Sequence, residues 1–256
     1  LMINASSPDK PLPLPIHEQA LRLLRVFMVI GGMPAVVARY CEDGNLLECQ
    51  NILSELVLSF RDDFAKYRNK VPSSRIDATF RSIAEQGLGK FVYNRVDTDA
   101  STAQIKTATE TLIFAGLVYP VTHSSANGIP LGAEINEKYR RMILLDTGLL
   151  QRILNLDISV ILSSDDIQVV NRGAMAEIFV GTELVKSASC YSPYPLYCWH
   201  REKAGSNAEV DYVVQLGTRI IPIEVKSGSK GTMQSMRLFM EAKGITQGIR
   251  TSLENF

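Results

Sequence analysis

Cysteine is scarce in this chain, and the four present, Cys41, Cys49, Cys190 and Cys198, include no C-x-x-C pair. That argues against a disulfide scaffold and cysteine-based zinc sites, and it fits reduced thiols in a cytoplasmic protein. Histidine is scarcer: His17, His123 and His200 are scattered, so the sequence predicts no structural zinc. An excess of one charge is missing too. Lys plus Arg number 27, as do Asp plus Glu, so no global basic field draws the chain to nucleic acid or an anionic membrane. DNA binding would need a local patch. No long hydrophobic run occurs, because the stretch from Val26 to Ile30 is stopped by Gly31-Gly32 and followed by Pro34, too short to span a bilayer. No signal-peptide pattern precedes it. The chain begins with Leu1 rather than Met, and Ala5 to Pro15 reads as an extended, non-helical linker. Both features predict a piece of something longer.

What is present is ordinary globular composition. With 256 residues, 46% hydrophobic and 21% charged, the chain can bury a sizeable core as one large domain or two small ones. Helical spacing of Leu21, Leu24 and Met28 predicts a helix over 18–30 ended by Gly31-Gly32, and Met33 to Tyr40 a second. Leu46, Ile52, Leu53, Leu56, Val57, Phe60 and Phe64 form one apolar stripe, read as core. Ser73 or Ser74 can cap a helix carrying Ile76, Phe80 and Ile83. Ser101-x-x-Gln104 is a capping box opening a helix with Ile105, Ala108 and Leu112 on one face. Strands at 117–121 and ending at Leu145 follow. Helix, helix, hairpin is the order of a winged helix-turn-helix, whose second helix would face a DNA major groove. That helix holds one cation, Lys106, against one anion, Glu110, so charge for DNA would have to come from Arg75, Arg81, Lys90, Arg95, Lys138, Arg140 or Arg141.

The last third reads as helix, three strands, helix: a helix from Asn171 to Lys186, strands holding Leu196 to Trp199, Asp211 and Glu224-Val225-Lys226, and a helix from Met233 to Lys243. On a strand, Glu224 and Lys226 share one face while Ile221, Ile223 and Val225 share the other, with Asp211 on the strand before. Two carboxylates can hold a hard dication such as Mg²⁺ beside a phosphate, and a lysine can place an attacking water. This is the chemistry of phosphodiester cleavage. The same pattern is loose, and taken alone it is better accounted for by a polar ribbon with solvated charges.

Separated segments carry a resemblance. Gly31-Gly32-Met33-Pro34-Ala35-Val36-Val37, Asp63-Phe64-Ala65-Lys66-Tyr67, Leu145-Asp146-Thr147-Gly148-Leu149-Leu150, Gly173-Ala174-Met175-Ala176-Glu177-Ile178-Phe179-Val180, and Glu209-Val210-Asp211-Tyr212 with Ile223-Glu224-Val225-Lys226-Ser227-Gly228 come in one order. From Leu21 onward the chain resembles bacterial and archaeal AAA-type ATPases carrying domain of unknown function 4143. The resemblance implies a P-loop ATPase domain upstream. No G-x-x-x-x-G-K-[ST] occurs here, and the nearest fragment, Gly87-Leu88-Gly89-Lys90, lacks the first glycine, so ATP binding is expected only in the full-length protein. It implies that relatives run on past Phe256 through another strand. It also implies a restriction-endonuclease-like PD-(D/E)XK fold in the last third, with Glu177, Asp211, Glu224 and Lys226 as the catalytic set and Asp211 and Glu224 as ligands of Mg²⁺. The expected architecture is therefore α+β in three parts: linker and helical segment 1–70, winged-helix-like domain 71–155, and nuclease-like domain 156–256. The expected role is a DNA-associated effector of the ATPase; the alternative is a non-catalytic module that contacts DNA or protein and regulates it. Its own ATPase domain and DNA are the expected partners, with oligomers allowed and no membrane.

Other residues have plainer readings. Asp146-Thr147-Gly148 matches the aspartic-protease tripeptide, but a helix cap at Asp146 suits the surrounding pattern better. Trp199 reads as core and Arg201 as a solvated strand end, with phosphate contact its alternative. Glu183 lies about 240° around the helix from Glu177, which predicts a surface residue.

Overall fold

In a computed structural model the chain is described over residues 6–7, 9–67, 69, 71–96, 99–157, 172–192, 194–202, 208–228 and 232–255. Ala5 and Pro8 of the expected linker and Asn171 at the expected helix start lie outside these residues. Eight α-helices and one six-stranded mixed sheet are described, an α+β arrangement.

Five helices come first: α1 (Leu14–Ile30), α2 (Pro34–Asp43), α3 (Leu46–Asp63), α4 (Ser73–Gln86) and α5 (Thr102–Phe114). The linker expected through Pro15 is shorter than that, because α1 begins at Leu14 and takes Pro15 into its first turn. A proline is at home there, where its missing N–H has no helical partner to lose. Neither Ser73 nor Ser74 caps α4; both lie inside the helix, and Pro72 holds the cap position without a side-chain cap hydrogen bond. The capping box of α5 forms as expected, Ser101 Oγ accepting from Gln104 N and Gln104 Oε1 from Ser101 N.

Strands β1 (Val118–Ser124) and β2 (Ile135–Leu144) form the hairpin, followed by α6 (Thr147–Ile153) and α7 (Arg172–Ser187). Strands β3 (Leu196–His200), β4 (Glu209–Leu216) and β5 (Arg219–Val225), helix α8 (Gln234–Lys243) and strand β6 (Ile249–Thr251) complete the chain. The hairpin does not stand apart as a wing. It is one edge of the common sheet, ordered β2-β1-β3-β4-β5-β6, because β1 pairs in parallel with β3 at Val121↔Leu196 and His123↔Cys198.

Two departures from regular pairing shape the polar end of this sheet. On β2 the partner of β1 jumps from Arg140 to Asn136 between Thr122 and His123, leaving Glu137, Lys138 and Tyr139 out of register. Between β3 and β4, Tyr197 pairs Val213 but Trp199 pairs Val210, so Asp211 and Tyr212 together oppose Cys198. Such a bulge re-aims side chains. The main core joins Ile76, Phe80 and Leu112 to Ile143, Ile178, Tyr212 and Ile223, and a smaller one sets Trp199, Val210 and Val213 against Phe239 of α8.

The glycine-rich segment after α1 locks to the start of α6. Asp146 Oδ1 accepts from Leu149 N at 3.0 Å and its Oδ2 from Gly32 N at 2.7 Å. Gly31 has φ +75°, and a Cβ there would lie 2.1 Å from Asp146 Oδ1. Asp146 is a buried helix cap, which ends the protease reading.

Candidate functional site

The four residues singled out in the last third are brought together, but each acid arrives with its own partner. Lys226 Nζ sits 2.5 Å from Glu224 Oε1. Asp211 Oδ2 accepts the backbone N–H of Val225 at 2.7 Å, tying β4 to the end of β5. Glu177, on α7, pairs at 3.1 Å with Arg141 Nη1, whose Nη2 also donates to the carbonyl of Asp211. Tyr212 donates to the Glu177 carbonyl at 2.7 Å, so the helix is fastened to the bulge.

Arg141 is the residue that sequence reasoning misplaced. It was among the cations available to DNA from a wing, yet it is 3% exposed. Its guanidinium, which stays charged in any protein, works inside the acidic cluster. Arg140 is also occupied, bonding Glu110 of α5 and Glu137 at 3.0 Å each. Lys106 lies over the Tyr93 ring, 5.8 Å from its centroid, in a cation–π contact. Both charges of α5 are thus turned to neighbours in this chain.

The acids sense one another. Burial first, then the Asp211 charge, pushes the Glu177 carboxyl up to about 8, against the pull of Arg141. Burial likewise raises Asp211 and Glu224, with Asp211 adding to the rise at Glu224. Glu224 Oε2 is buried with no hydrogen-bond partner. Three carboxyls against Arg141 and Lys226 leave a negative balance when all are ionised, and hard carboxylate oxygens suit Mg²⁺. Asp211 and Glu224 therefore fit a dication. The oxygens of Glu177, Asp211 and Glu224 do not all come within 4.8 Å of one another; among the described residues only ligand atoms of His123, His200 and Glu202 do.

That second cluster went unseen in the sequence because its histidines are 77 residues apart. Parallel pairing of β1 with β3 sets them side by side, Nδ1 to Nδ1 at 3.0 Å. His200 stacks on Tyr139 with centroids 3.8 Å apart, and Tyr139 donates to Glu209. Burial and then the neighbouring His200 charge lower His123 to about 4, and burial lowers His200.

Other expected residues fall as read. Trp199 is core against Phe239, with centroids 5.1 Å apart, Arg201 is exposed, and Glu183 pairs with Lys186 at 2.8 Å on the surface. Among the described residues no helix is long and apolar enough to cross a membrane.

The fold and these clusters define a mixed α+β protein with a buried acidic site at the ends of central strands. Residues 21–159 match the family described as domain of unknown function DUF8612, more than half of the chain, and the chain belongs to that family. Residues 172–255 match domain of unknown function DUF4143. Comparison with curated proteins and with solved structures returns no match. Both clusters draw on both matched segments: Arg141 and His123 come from the first, their partners from the second.

Proposed function

We propose that this chain is a DNA-associated effector with a Mg²⁺-dependent, PD-(D/E)XK-like phosphodiesterase site, acting beside a P-loop ATPase domain of the same protein. One observation carries the reading: Asp211, Glu224 and Lys226 meet where the bulge of β4 lies beside the end of β5, and one oxygen of Glu224 is buried without a partner. Asp211 and Glu224 would hold the ion, which supplies a Lewis acid for a phosphoryl oxygen and a more acidic water. Val225 N–H fixes the Asp211 carboxylate. Lys226, freed from Glu224, would direct the nucleophilic water and offset charge growing on the phosphate. Glu177 does not reach substrate on this reading; it orients the bulge through Arg141 and Tyr212.

The test incubates plasmid and branched DNA with Mg²⁺ or Mn²⁺. Cleavage abolished by Lys226→Ala and by Asp211→Ala supports the site. Wild-type protein that leaves every DNA form intact and binds no Mg²⁺ by calorimetry overturns it. A second reading, a non-catalytic module regulating the ATPase through a protein contact, draws on α5: its two charges are paired internally while Phe114 at its end is 85% exposed. A gel shift separates the two, since phosphate-driven binding weakens steeply with salt.

A further inference from the structure

We propose that His123, His200 and Glu202 form a binding site for a transition-metal dication of the zinc class, distinct from the carboxylate site. Each offers a ligand atom within 4.8 Å of the others. His123 is 1% exposed, and its Nε2 is buried without a hydrogen bond although Glu202 Oε1 lies 3.4 Å away. The two atoms are close but poorly aligned for hydrogen bonding. Two ligands that each stand about 2.0–2.1 Å from one tetrahedral ion are separated by roughly this distance.

The rings are also held in place before any ion arrives. His123 Nδ1 accepts the backbone N–H of His200 at 3.2 Å and faces His200 Nδ1 at 3.0 Å. Two neutral imidazoles each keep one lone pair, and which nitrogen carries it shifts with the partner offered. Tyr139, thrown out of register on β2, covers His200 face to face and is itself anchored by Glu209. Aromatic and carboxylate supports of this kind fix ligand orientation around metals. Glu202, 57% exposed just beyond β3, is the surface ligand of the three, and Asn136 donates to its Oε1 at 3.4 Å.

Two imidazoles and one carboxylate favour zinc, cobalt or nickel over magnesium or calcium. Three protein ligands leave a position for water or an anion. The site therefore differs in ion class from the one at Asp211 and Glu224, and the two can be tested apart.

The full chain, stripped with a chelator, is titrated with Zn²⁺ by calorimetry and with Co²⁺ by visible absorption. The expected result is one Co²⁺ bound in a low-symmetry site with intense visible bands, displaced by Zn²⁺ and not by excess Mg²⁺. Glu202→Ala, on the surface, should weaken binding at least about 10-fold, and His200→Gln should remove the bands. Asp211→Asn with Glu224→Gln should keep them. Absence of Zn²⁺ binding by wild type, or bands that survive in both His200→Gln and Glu202→Ala, overturns the proposal. Circular dichroism of each variant confirms that it folds.

Discussion

Replacing Arg141 with methionine keeps the buried stem and removes the charge that balances Glu177. Two outcomes bound the cost. Breaking a buried pair by removing one partner commonly costs about 3–5 kcal/mol. Glu177, however, has 18% of its side chain exposed and, raised to about 8 even beside Arg141, is already mostly protonated at pH 7. The loss in Arg141→Met at pH 7 is therefore that of the hydrogen bonds to Glu177 and to the Asp211 carbonyl, about 2–3 kcal/mol. It should grow as pH rises through 8, where the wild type holds the Glu177 charge against a partner and the variant does not. Adding Glu177→Gln removes the titrating acid, so the double variant should gain on Arg141→Met as pH rises from 7 to 9. Urea denaturation followed by circular dichroism at pH 7 and pH 9 measures all three proteins. A loss below about 1 kcal/mol in Arg141→Met, or one that is no larger at pH 9 and is not relieved there by Glu177→Gln, refutes the ion-pair account.

Other perturbations follow from the same geometry. Asp146→Ala should lose about 2–3 kcal/mol by thermal melting, since it orphans the N–H groups of Leu149 and Gly32 together; Asp146→Asn should lose less. Gly31→Ala should be at least as damaging, because the added Cβ meets the Asp146 carboxylate in a left-handed turn; a neutral effect would show that the clasp between α1 and α6 is loose. In chelator-treated protein, His123 links folding to pH. Unfolded histidine takes up its proton near 6.5 and folded His123 only near 4, so its contribution is complete above about 6.5 and is lost as pH falls toward 4, at most about 3 kcal/mol. The difference in urea midpoint between wild type and His123→Gln should follow that slope, and a flat difference across the window would count against it.

Much of the fold was legible because it is local. The Ser101–Gln104 box, the Asp146 cap and the glycines closing α1 each act within a turn, and each formed. The ribbon carrying Asp211, Glu224 and Lys226 was legible for the same reason, since a tight turn at Gly217 fixes its register. What escaped is non-local. Nothing near Val121 announces its parallel pairing with Leu196, so the sequence alone offers the hairpin as a wing and leaves the histidines scattered. Arg141 reads as a cation available to DNA because the residues it meets, Glu177 and the bulged Asp211, are 36 and 70 residues further on. The bulge opposite Cys198 leaves no mark in a period-two pattern.

The pairing of β1 with β3 bears on how such a protein can be inherited. The two matched segments meet inside one sheet, and each supplies what the other's polar cluster needs. A recombination event that joined 21–159 of one relative to 172–255 of another would have to preserve Arg141 facing a carboxyl at 177 and His123 facing an imidazole at 200. Chimeras that ignore these pairings strand a buried charge at the crossover, so the two segments should travel through genomes as linked property even though each is recognisable by itself.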